Sequence, residues 1–155
     1  EQLLRMLIEV VSKGGNLLLN VGPTGRGEFD ERALERLRGM GEWMRRHGRS
    51  IYGCTAPSDT MSTPQDCRLT WNPQTNRLYV HIFAWPYKQL SLDGFAGRVE
   101  YAQLLNDASE VFLREPTAQQ MEMGGAAAGA VTLDLPVERP PVAIPVVELF
   151  LKGNR

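Results

Sequence analysis

The hydrophobic period of this chain changes part-way along. Over Gln2–Ser12, Leu3, Leu4, Leu7, Ile8 and Val11 share one face at helical spacing. Gly14 and Gly15 follow where such a helix must stop, because glycine adopts the left-handed backbone common at helix ends. Residues 17–21 are then apolar except for Asn20. A continuous apolar run beside helices predicts a parallel strand covered on both faces. A Gly/Pro/Thr loop at 22–27 leads into a second amphipathic helix, predicted over 30–47, with Ala33, Leu37, Met40, Gly41 and Met44 as its buried stripe. Asp30 and Glu31 at its start and Arg45, Arg46 and His47 at its end suit the helix dipole, and Gly48 is placed as its terminator. The unit is strand, loop, helix, as in α/β proteins.

Residues 54–64 turn polar and irregular and read as a linker, which divides the chain into 1–53, 54–64 and 65–155. Beyond it the period becomes two. A short strand is predicted at 67–71, followed by the turn cluster Asn-Pro-Gln-Thr-Asn. At 78–85, Leu78, Val80, Ile82 and Ala84 alternate with Tyr79, His81, Phe83 and Trp85. A strand apolar on both faces belongs inside a sandwich rather than on its rim. Further strands are predicted at 89–92, 98–105, 110–114, 130–135 and 146–151, with Asp93-Gly94 and Asn106-Asp107 as turns. The Met/Ala/Gly stretch 121–130 reads as a mobile hairpin loop. Pro136, Pro140, Pro141 and Pro145 forbid regular pairing and predict an edge or crossover. So many short strands with turns between them imply an all-β antiparallel sandwich.

Composition narrows the function classes. The hydrophobic share of 43% and charged share of 23% are those of an ordinary globular chain. A net charge of −1 gives no pull toward nucleic acid or an anionic membrane. No apolar run is long enough to span a bilayer as a helix. The chain opens on Glu1 within a helical pattern, without an initiator Met or signal peptide, and is expected to be a piece of a longer protein. Cys54 and Cys67 lack the spacing and histidine company of a metal site, and unpaired thiols are favoured over a disulfide.

The wording of the first third is specific. "GGNLLLNVGPTGRG", followed by a helix ending in "GEWMRRHGRSIYG", resembles the last strand–helix unit of the catalytic barrel of family 29 α-L-fucosidases. The run "LYVHIFAWP" and the strand-rich region around it are similar to that family's C-terminal β-sandwich. The resemblance implies an α/β fragment, the end of a (β/α)8-like barrel, followed by an all-β antiparallel sandwich. It implies a retaining exo-glycosidase that removes terminal α-L-fucose from glycans, needs no cofactor or metal, and resides outside the cytoplasm or in lysosomes. Retention takes two carboxyl groups about 5 Å apart, one attacking the anomeric carbon and one serving as acid and then base. In the family both lie on earlier barrel strands or their loops, and nothing here matches those motifs, so no catalytic residue is assigned in this chain. The segment alone is expected to be inactive and, with its barrel neighbours missing, to self-associate. The alternative is a non-catalytic carbohydrate-binding or structural β-sandwich module.

Candidate chemistry within the chain is sparse. In a barrel the C-terminal end of a strand faces the active site. Asn20 lies near that end, where a buried amide either braces backbone or points toward substrate. Bracing is favoured, and Asn20 stands as the one candidate substrate contact. Thr24 and Arg26 could line the rim, but a solvated loop accounts for both. The glycines at 22, 25 and 27 fit neither a dinucleotide fingerprint nor a P-loop. The mixed charges on the second helix read as a solvated face with ion pairs of tenths of a kcal/mol, order of magnitude. His81 reads as a satisfied core residue rather than a functional imidazole, and His47 as a helix-dipole partner. Trp71, Trp85 and Tyr87 offer a sugar-stacking platform in principle, but aromatics in a sandwich are usually core.

Overall fold

The computed structural model describes residues 1–122 and 129–153. Two helices come first, α1 (Gln2–Ser12) and α2 (Glu31–His47), the latter running into a 3-10 turn at Gly48–Ser50. Seven strands follow among the described residues: β1 (Cys67–Asn72), β2 (Arg77–Ile82), β3 (Gln89–Leu92), β4 (Val99–Leu104), β5 (Phe112–Arg114), β6 (Val131–Asp134) and β7 (Val146–Leu151). A short helix, α3 (Ala118–Glu122), lies between β5 and β6. Every pairing is antiparallel, in a four-stranded sheet ordered β1-β2-β7-β4 and a three-stranded sheet ordered β3-β6-β5.

The alternation along β2 explains the layering. Leu78, Val80 and Ile82 point between the sheets, where they join Leu69, Leu92, Leu133, Val147 and Leu149 in the main core. Tyr79 points the other way and packs with Leu4, Ile8 and Val11 of α1, Trp43 of α2, Ile144 and Val146. The four-stranded sheet therefore has the three-stranded sheet on one face and the two helices on the other. The proline-rich stretch 136–145 carries the chain from β6 in one sheet to β7 in the other, the expected crossover. β2 ends at Ile82, short of Trp85, and Ala84 is exposed. The predicted hairpin loop at 121–130 falls largely outside the described residues, and Met121 and Glu122 end α3.

Three expectations for the first part fail. Residues 17–21 form no strand. A strand needs a hydrogen-bonded neighbour, and no described segment pairs with this run. Exposure nevertheless alternates along it, with Leu17, Leu19 and Val21 half-buried and Leu18 and Asn20 open. The deeply buried residues of α2 are Trp43 and His47, whereas Ala33, Leu37, Met40 and Met44 are half-covered and Gly41 is exposed. Gly48 does not terminate the helix in a left-handed turn: its φ is −56° and the chain continues helically. An added Cβ there would stand 3.0 Å from the Tyr52 ring, so a larger residue would have to displace that exposed ring slightly.

Candidate functional site

The loop that carries the sequence candidates is a closed turn. The Thr24 N–H donates to Glu28 O at 2.7 Å and the Gly27 N–H to Thr24 O at 2.9 Å. Thr24 Oγ1 accepts from Glu28 N at 3.3 Å. Thr24 is thus spent on its own loop, and Arg26 is exposed. At the start of α2, Asp30 Oδ1 accepts from Ala33 N at 2.8 Å, an N-cap that occupies a donor an anion would need. Asn20 stands in the open, irregular segment, and no side-chain partner for it is found among the described residues. The geometry brings Asn20 together with no other candidate.

A cluster that sequence reasoning missed lies between α2 and the sheet. Glu148, 3% exposed, is the buried acid among the described residues. Its Oε2 accepts from Arg49 Nη2 at 2.9 Å and Gln103 Nε2 at 2.7 Å, and its Oε1 from the Tyr79 hydroxyl at 3.2 Å. Arg49 comes from the turn after α2, and the other three come from β7, β4 and β2. Burial and the adjacent carboxylate push the Tyr79 phenol well above its ordinary pKa, so it stays a donor. One cation and two neutral donors surround this carboxylate, which is a structural anchor.

Beside it is a second buried polar group. Thr70 Oγ1 donates to Ser50 O at 2.7 Å, so at 2.9 Å it must accept from His81 Nε2–H. His47 Nδ1 donates to Trp43 O at 3.0 Å, and its ring stacks on the Trp43 indole at 4.8 Å. Burial lowers the pKa of both imidazoles, that of His81 to about 3. His81 is the core residue expected, with Nδ1 lacking a protein partner. His47 is not a dipole partner: it is buried and favoured in its neutral form. The Trp43 indole N–H reaches Ile144 O at 2.9 Å and pins α2 to the crossover.

Other candidates stay apart. Trp71 and Trp85 pack against the main core, and Trp85 donates to Pro136 O at 3.1 Å, whereas Tyr87 is 75% exposed. Cys54 and Cys67 are free thiols, pushed up to about 11 and about 12 by burial. A cleft between α1 and α2 is lined by Glu1 and Glu35, but Glu1 is committed to Arg5 at 2.7 Å and both acids are exposed. Among the described residues there is no group of acids, histidines and cysteines fit to hold a metal, and no helix long and apolar enough to cross a membrane.

Comparisons with known proteins place this framework. The α-L-fucosidase family model matches residues 1–49. The chain is 39% identical over 87 residues to human plasma α-L-fucosidase, a match covering 56% of this chain and 19% of that protein. α-L-Fucosidase isoenzyme 1 from Paenibacillus thiaminolyticus superposes with a TM-score of 0.83 at 37% identity, covering 98% of this chain and 34% of that one. The Thermotoga maritima α-fucosidase, solved with a mechanism-based inhibitor, gives 0.74 at 27% identity, covering 96% and 33%. The chain thus spans about a third of the solved relatives and about a fifth of the curated ones. In sequence over its first part and in fold over nearly all of its length, the chain is similar to part of the α-L-fucosidases.

Proposed function

We propose that this chain is the C-terminal part of a retaining α-L-fucosidase acting on fucosylated glycans. Residues 1–53 form the closing part of the catalytic barrel, 54–64 the connection and 65–155 the C-terminal sandwich. The reading rests chiefly on the superposition with the Paenibacillus enzyme, which takes in nearly all of this chain but only a third of that one. The apolar run 17–21 supports it, because its alternating exposure is that of a strand without neighbours. In this reading the nucleophile and the acid/base lie on barrel strands outside the chain, and Asn20 faces the barrel mouth near the sugar. The local job of the chain is to close the barrel and brace its last helices.

Three consequences are testable. The purified chain should release no 4-nitrophenol from 4-nitrophenyl α-L-fucoside above the buffer rate. The same residues, replacing the last third of the Paenibacillus fucosidase, should yield an active chimera. Turnover by the chain alone, or a folded but inactive chimera, would count against the proposal. The isolated chain should also self-associate, because Leu18 is 86% exposed and Phe29 is exposed as well.

A further inference from the structure

We propose that the open end of the sandwich holds a cleft for an anionic saccharide, lined by Trp71, Asn76, Arg98 and Lys152. The cleft, about 450 Å³, lies where the core between the sheets opens, bordered by the β1–β2 turn, the β3–β4 turn and the residues after β7. Its volume is within the range of small-ligand sites. Met61, Trp71 and Leu151 give it an apolar floor continuous with the main core.

Three observations define the ligand. The Trp71 indole Nε1 is buried without a partner. An indole N–H only donates, so it calls for an acceptor. Next, Arg98 and Lys152 stand opposite each other one residue beyond the paired ends of β4 and β7, where the Lys152 N–H donates to Arg98 O at 2.9 Å. Neither side chain makes an ion pair among the described residues, and the Arg98 guanidinium, 5.7 Å from the Phe95 ring, has only the Gly94 carbonyl, at 3.3 Å, as an acceptor. Like charges opposed across a ladder repel, and an anion seated between them would relieve this. Finally, among the described residues no Asp or Glu lines the cleft. Glu115, near its rim, is engaged by the Gly97 N–H at 2.6 Å. Asn76 spends its amide hydrogens on the carbonyls of Leu151 and Lys152 at 3.1 and 3.3 Å, which fixes the amide plane and leaves its oxygen, an acceptor, as what it can offer a ligand.

An apolar floor beneath a rim of donors matches a pyranose, with its C–H face and hydroxyl edge, better than a bare inorganic anion. A carboxylate or sulfate on that sugar satisfies the two cations. The saccharide class rests on the glycan-directed reading above, whereas the anion preference rests on this cleft alone.

Binding to the full chain is measured by tryptophan fluorescence and isothermal titration with sialyllactose. Lactose serves as the uncharged control and inorganic sulfate as the bare-anion control. Sialyllactose should bind at least about tenfold more tightly than either, and Arg98→Gln with Lys152→Gln should remove about that factor. Trp71→Phe should abolish most of the fluorescence change while the near-ultraviolet dichroism of the remaining tryptophans persists. Equal binding of lactose, sulfate binding as tight as sialyllactose, no binding by any probe, or an unaffected double variant would each overturn the proposal. Fucoside turnover plays no part in this readout, so a failed hydrolysis test and a failed binding test remain separate results.

Discussion

The Arg49–Glu148 pair makes an unequal prediction about its two ends. Glu148 is 3% exposed, whereas the Arg49 side chain is 53% exposed. Replacing Arg49 with Met leaves a buried carboxylate supported only by Gln103 and Tyr79. Breaking a fully buried pair costs about 3–5 kcal/mol. Because the guanidinium is half in water, solvent already screens the attraction, and a cost of about 1–2 kcal/mol is expected for Arg49→Met. Glu148→Gln strands the other partner, but a half-exposed guanidinium can be hydrated where it stands. The new amide still accepts from Tyr79 or Gln103, so the loss should be smaller, about 0.5–1 kcal/mol. The double variant should be less destabilised than the sum, since the buried charge left behind by the arginine substitution is no longer there. Urea unfolding followed by tryptophan fluorescence measures all three. Equal single losses, or strict additivity, would refute the view that the carboxylate's burial sets the energetics.

Other perturbations test neighbouring parts. Asp30→Ala removes the cap on α2 and should cost about 1 kcal/mol, read as a lower unfolding midpoint. Acidification should weaken the contact between the helices and the sheet before it titrates the acids. His47 and His81 have pKa values lowered from 6.5, so below about pH 6.5 the unfolded state takes up protons that the folded state refuses. Stability is therefore present above that pH and falls by up to about 1.4 kcal/mol per unit for each imidazole as pH drops toward the folded values. His81→Gln should flatten the slope between pH 6.5 and 4.5, measured as unfolding midpoint against pH. Only below about 4.5 do Glu1 and Glu9, lowered chiefly by hydrogen bonds to Arg5 and Arg68, add their own loss. Leu18→Ser should shift the isolated chain toward monomer in sedimentation without changing its helix content, and unchanged association would clear this residue of the role.

Much of the sandwich was legible because local pattern and burial agree there. Alternation from Leu78 to Ile82 puts one set of side chains between the sheets and the other under the helices, and no other register buries both. The helices were legible too, but the orientation of α2 was not. Its stripe was read through Ala33, Leu37 and Met40, while Trp43 and His47, four apart and stacked, take the deepest place. Trp43 gains that place by bonding Ile144, 101 residues away, which no periodicity announces. Glu148 left half a signal. A lone acid in the apolar run from Val146 to Leu151 must find a donor when buried. Its cation, Arg49, belongs to a turn 99 residues earlier that composition marks only as polar. The run 17–21 shows the converse failure: its apolar pattern describes an environment that the rest of this chain does not supply.

That mismatch and the buried clusters bear on one physical question, namely what the helices rest on. The outer face of the four-stranded sheet carries Tyr79, His81, Val146 and Glu148, all nearly inaccessible, and their cover comes from α1, α2 and the turn after α2. Without the helices an apolar surface and a charged carboxylate would face water together; without the sheet, Leu4, Ile8 and Trp43 would lose their packing. Each layer thus stabilises the other through hydrophobic contact, and the Glu148 and Trp43 hydrogen bonds fix their relative position. In the proposed enzyme the same helices must also flank residues 17–21 and the strands beside them. A sandwich that anchors α2 from behind would then hold the closing segment of the barrel in register, although it places no group near the sugar being cleaved.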